Sequence, residues 1–178
     1  MGAAIAATLA LGSCGTETRV APRPLNNTAT LSLLSRAEIN RTPANSPQRT
    51  ALTWWRLAQY RVVGDSLALF TPRAMRALTN SGYPGLLINY LGPWLRRGRP
   101  AVTRVEYSGH RHATVFLRTV FRQPVSLDLF HEEVEPLAFT LQRVGGGWRL
   151  SDPSWVIEQG RGLQGLPPRV STTRTRRR

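Results

Sequence analysis

The stretch Phe139-Thr140-Leu141-Gln142-Arg143-Val144-Gly145-Gly146-Gly147-Trp148-Arg149-Leu150-Ser151-Asp152 decides how this chain folds. From Leu137 to Val144 apolar and polar side chains alternate, the period of a strand with one face on a core. Three glycines then permit the positive φ angles of a tight turn, and Trp148 follows with a large apolar surface to bury. A second strand, not a helix, follows the glycines, so they form a hairpin turn and no phosphate cradle. Upstream the same period continues. Val102 to Tyr107 reads as a first strand, Ser108-Gly109 as a turn, and His112 to Arg122 as a second strand with Ala113, Val115, Leu117, Thr119 and Phe121 on one face. Gln123-Pro124 breaks that run. Val125 to Phe130 reads as a weaker strand, and His131-Glu132-Glu133-Val134-Glu135-Pro136 as an acidic loop before the closing hairpin.

Before Gly98 the period is helical. Ser46-Pro47 supplies an N-cap and a proline at the first helical position. Ala51, Trp54, Trp55, Ala58, Val62 and Val63 lie on one stripe, with the helix expected to end at Gly64. Asp65 is expected to cap a short segment from Ser66 to Phe70. Thr71-Pro72 starts another helix, which Ser81-Gly82 stops. Leu86, Leu87, Tyr90, Leu91, Trp94 and Leu95 give a further pattern that Gly92-Pro93 should kink or split. Helices first and antiparallel strands afterwards predict an α+β fold, with N-terminal helices packed on one face of a curved antiparallel sheet.

This order resembles the nuclear transport factor 2-like superfamily, the cone fold shared with ketosteroid isomerase and polyketide cyclases. The resemblance rests on the amphipathic helix running into Gly64-Asp65, the hairpin at Ser108-Gly109 and the closing hairpin through Trp148. It covers residues 46–158. It implies a concave pocket between sheet and helices, and a sheet through which related folds often dimerise.

Composition bounds the rest. The chain has 178 residues, 41% hydrophobic and 19% charged, which suits one globular domain. All 24 basic residues are arginine, and with ten acids the net charge is +14. One cysteine excludes an internal disulfide framework and a Cys-rich metal site. No Gly-x-Ser-x-Gly element, P-loop or dinucleotide fingerprint occurs, and no cofactor is expected.

Residues 2–13 are uncharged and apolar, too short to span a bilayer but suited to the core of a secretory signal. Leu11-Gly12-Ser13-Cys14 closes this run and resembles a bacterial lipoprotein signal. That resemblance implies cleavage before Cys14, lipidation of its thiol by diacylglycerol and palmitate chains, and anchoring of the mature protein on the extracytoplasmic side of the bacterial cell envelope. Residues 14–45, rich in Thr, Asn, Pro and Ser, read as a tether, with a small helix within Leu31 to Ile39. Residues 159–178 read as a basic disordered tail.

Candidate sites follow from these readings. Trp54, Trp55, Tyr90, Trp94 and Tyr107 are the aromatic side chains that would line a pocket for an apolar ligand. Asp128 and Asp152 are the strand-placed carboxyls that an isomerase would need, with Tyr90 or Tyr107 as hydrogen-bond donors; neither acid lies in a catalytic motif. His110, His112 and His131 lack a third ligand at diagnostic spacing, so no metal site is expected. Arg96, Arg97 and Arg99, with Arg174, Arg176, Arg177 and Arg178, form clusters that attract polyanions. Anionic lipid or an envelope polymer is preferred over nucleic acid, because an anchored protein meets membrane first. The functional expectation is a lipid-anchored, non-enzymatic ligand-binding or protein-interaction module. Two alternatives stay open: a small isomerase or cyclase using the cone pocket, and a basic nucleic-acid-binding protein.

Overall fold

Helices begin where the sequence supplies caps. The computed structural model describes residues 33–124 and 130–165. Ser35 opens α1 (Arg36–Asn40) with a capping box, its hydroxyl accepting the Glu38 N–H while the Glu38 carboxylate accepts the Ser35 N–H. Ser46 caps α2 (Pro47–Gln59) by accepting the Arg49 N–H at 3.2 Å. This helix stops before the expected Gly64, because Arg61 turns the chain with a φ of 60°. Gly64 instead lies inside α3 (Val63–Ala68), and Asp65 sits in its first turn, facing the helix dipole without capping it. Thr71 caps α4 (Pro72–Asn80), which ends at Ser81 and Gly82, the latter at φ 75°.

Gly92-Pro93 does not split the next helical path. Here α5 (Tyr83–Leu86), a π-helical turn (Leu87–Leu91) and α6 (Gly92–Leu95) run on without interruption. Pro93 has no N–H to donate, and the wider turn just before it accommodates the missing bond. Gly92 is needed for packing: a Cβ there would lie 2.6 Å from the Leu87 carbonyl oxygen and 3.0 Å from that of Ala58.

Four strands follow, β1 (Gly98–Ser108), β2 (His112–Pro124), β3 (Phe130–Val144) and β4 (Gly147–Leu150), in one antiparallel sheet of order β1-β2-β3-β4. A bulge between Val102 and Arg104 bends β1. The fold is thus α+β, helices against one face of a curved antiparallel sheet. The acidic segment is corrected from loop to strand: residues 131–136 belong to β3, in register with β2 from Gln123↔His131 to Arg118↔Pro136. Of the weaker strand expected at Val125 to Phe130, only Phe130 is described, and it begins β3.

The inner sheet face buries Ala113, Val115, Leu117, Thr119, Phe121, Leu137, Phe139, Leu141 and Leu150 beneath the helices. The folded unit also extends past 46–158 at both ends. Leu34 and Ile39 are core residues, so residues 34–45 are domain and not tether. At the other end α7 (Ser154–Leu163) lays Trp155 and Val156 on the core, which claims the first residues of the supposed tail.

Candidate functional site

Two surfaces of the sheet compete as the site, and the concave one is filled. Trp54 and Trp55 project from α2 at 0% exposure. The Trp54 ring meets Phe139 at 5.3 Å, Phe70 at 6.0 Å and Trp155 at 6.3 Å, mostly edge to face. Trp94 stacks on Phe121 at 3.9 Å, and Trp55 lies parallel to Trp155 at 6.4 Å. The tryptophans expected around a ligand pocket therefore form an aromatic core. Tyr90 and Tyr107 are not brought to them; both are exposed, and Tyr107 meets only the edge of Trp148 at 6.0 Å.

Polar groups inside the core are few. The Tyr83 hydroxyl lies 3.1 Å from Ser66 Oγ, and burial pushes its pKa up. The Thr119 hydroxyl and the Trp55 indole N–H are buried with no hydrogen-bond partner among the described residues. Glu135 stands directly across the ladder from Thr119, on the face that also carries Leu137 and Phe139. Burial, with the charge of Glu133 second, raises its pKa above the usual carboxylate range. Sequence reasoning missed this carboxyl because it assigned the segment to a solvated loop.

The remaining expected site residues are scattered. Asp152 is exposed and its Oδ1 accepts the Ser154 N–H at 2.9 Å, which orders the entry to α7. His110, His112 and His131 are exposed, and among the described residues no group of three His, Cys, Asp or Glu side chains could hold a metal ion. Arg96 donates from Nε to the Gln59 carbonyl at 2.9 Å, and Arg99 pairs with Glu38. Of that cluster Arg97 is the residue left facing solvent with no ion pair to a described acid. Cys14, Asp128, Arg174, Arg176, Arg177 and Arg178 lie outside the described residues. Among the described residues no helix is long and apolar enough to cross a membrane.

The convex face carries an open groove of about 770 Å³. Register builds it: Phe116 lies between Arg104 and Ala138, Arg118 between Ala101 and Pro136, Val120 between Arg99 and Val134. Most of the lining is apolar, and Val134 is 47% exposed. Arg104 places its guanidinium 4.2 Å over the Phe116 ring and pairs with Glu106 at 2.9 Å. Arg122 pairs with Glu132 at 3.0 Å, farther along the same face. Arg118, in the groove itself, is exposed and makes no ion pair with any described acid. An apolar trough holding a cation that pairs with no described acid suits an anionic, partly apolar ligand better than it suits chemistry.

No family model matches this chain, and no curated protein does. Among solved structures, one similar chain is a SEC-C motif containing protein from Rhodopseudomonas palustris, determined in solution. It is 13% identical, with 64% of this chain and 80% of that chain covered and a TM-score of 0.46.

Proposed function

We propose that this chain is a bacterial envelope lipoprotein, anchored through Cys14 on the extracytoplasmic side, whose domain is a non-enzymatic binding module of the nuclear transport factor 2-like kind. The observation that carries the reading is the contrast between the two sheet faces. The concavity, where enzymes of such folds would work, is occupied by Trp54, Trp55, Trp94, Phe121, Phe139 and Trp155. The accessible recess lies on the other face and offers arginine and apolar side chains, with no acid or base among its lining residues apart from the always-charged arginines. The apolar run ending in Leu11-Gly12-Ser13-Cys14 supports the anchor, and the excess of arginine supports an anionic setting.

Mass spectrometry of the protein recovered from the membrane fraction tests this reading. The expected result is a mature N-terminus at Cys14 carrying diacylglyceryl and acyl chains, with Cys14→Ser releasing the protein from membranes. Unmodified protein retaining Met1 in the soluble fraction would overturn it. The runner-up is an isomerase or cyclase of the cone pocket, and Glu135 beside Thr119 is the observation that favours it. That reading predicts turnover of a cyclic ketone that Glu135→Gln abolishes.

A further inference from the structure

We infer that the convex sheet face docks on the anionic surface of the membrane that holds the anchor, with Arg118 receiving a lipid phosphate and Val134, Pro136 and Ala138 meeting the apolar layer beneath the headgroups. This rests on the lipoprotein reading above and names the partner of its groove.

Charge complementarity is the first argument. Three neighbouring arginines on this face already have acidic partners, Arg104 with Glu106, Arg122 with Glu132 and Arg99 with Glu38. Arg118 stands in the groove among apolar neighbours, with Ala101 and Pro136 directly across the ladders, and pairs with no acid among the described residues. A guanidinium in that position presents its planar fork to a phosphate, and the apolar residues around it lower the local dielectric. Exposed Val134 beside it, on an open shallow trough, matches a lipid surface that must be met over an area and not enclosed.

The length of chain between anchor and domain is the second argument. Leu34, the first core residue among those described, lies 34 − 14 = 20 positions after Cys14. A chain of that length reaches about 70 Å when fully extended, and roughly 25 Å on average if it behaves as a flexible coil. Either value lets the convex face lie on the bilayer while confining the domain close to it, which raises the effective concentration of headgroups.

The test uses the full chain with Cys14→Ser, which removes both the lipid anchor and the only native thiol. Ala138→Cys in that background places an environment-sensitive fluorophore in the groove, and Tyr90→Cys places one on the helical layer as a control. With phosphatidylglycerol vesicles the groove label is expected to shift to shorter wavelength while the control label does not. With phosphatidylcholine vesicles neither shifts. Adding Arg118→Gln should weaken the phosphatidylglycerol response at least fivefold, and Val134→Asp should abolish it, both with an unchanged thermal midpoint. A silent groove label on phosphatidylglycerol, an equal response to phosphatidylcholine, or an Arg118→Gln response equal to the parent overturns the inference. So does a shift without vesicles that grows with protein concentration, which would assign the groove to a second copy of the chain. Lipid found on native Cys14 together with a silent groove label would sink this inference alone and leave the lipoprotein reading standing.

Discussion

The Gln59 side-chain oxygen accepts the Leu34 backbone N–H at 2.9 Å, and through that bond the segment before α2 is joined to the core. The same carboxamide donates to the Leu95 carbonyl at 3.0 Å and the Gly98 carbonyl at 3.2 Å. One buried side chain thus ties the entry to the domain to the junction between α6 and β1. Gln59→Leu keeps the volume and removes every one of these bonds. Each buried group left unpaired costs about 1–3 kcal/mol, so the variant is expected to lose at least about 2 kcal/mol in urea unfolding. A loss below about 1 kcal/mol would show that water replaces the carboxamide.

Gly98 lies under the Phe121 ring, where an added Cβ would come to 2.8 Å from Cδ1 and 2.9 Å from Cζ. That ring is held in turn by Trp94 on its other contacts. Gly98→Ala should therefore destabilise by about 1–3 kcal/mol through overpacking. Phe121→Leu in the same chain should recover part of that loss, making the double variant more stable than the sum of the two singles. Strict additivity in a denaturant cycle would contradict the contact.

The Glu38 carboxylate is held below its usual pKa by the Ser35 N–H first, then the Ser35 hydroxyl and the charges of Arg99 and Arg41, against some burial. A depressed carboxyl stabilises the fold above its unfolded pKa, and that contribution is lost as the pH falls through the folded value. Glu38→Ala is expected to cost about 1 kcal/mol at pH 7, the usual worth of such a cap. The difference should narrow below about pH 4.3, the ordinary range of a glutamate. Parallel stability curves from pH 7 to pH 3 would count against the capping box.

The legible parts of the molecule are those whose cause is local. Ser46-Pro47, Thr71-Pro72 and the glycines at 145–147 carry their own backbone instructions, and the alternation from Ala113 to Phe121 names the buried face of β2. What stayed hidden depends on pairing between distant segments. Residues 131–136 look like a solvated loop by composition, yet residues 118–123 of β2 pair with them and carry the ladder through. The groove around Arg118 exists only because β1, β2 and β3 align Arg104, Phe116 and Ala138 in one row. A tryptophan stripe, likewise, says that Trp54 and Trp55 face inward, and nothing about whether the space beyond is open.

Glu135 supplies the sharpest test of that misread segment. Its carboxyl faces inward across from the buried Thr119 hydroxyl, and burial followed by the Glu133 charge makes it keep its proton to a higher pH than in the unfolded chain. The native state then binds more protons than the unfolded state between the two pKa values, so this group lowers stability as the pH rises through that window and keeps it lowered above. Glu135→Gln removes the charge and keeps the shape. The variant should melt higher than the parent at pH 7 and lose that advantage below about pH 4.3. Thermal midpoints of both proteins from pH 3 to pH 8 check this, and a parent more stable at pH 7 would mean that residues 131–136 do not hold the inward register. Function, and not the direction of the shift, separates the two functional readings, because a carboxylate that merely strains the fold is replaced at no cost to function. A proton-transfer base would be stabilised by the same substitution and inactivated by it.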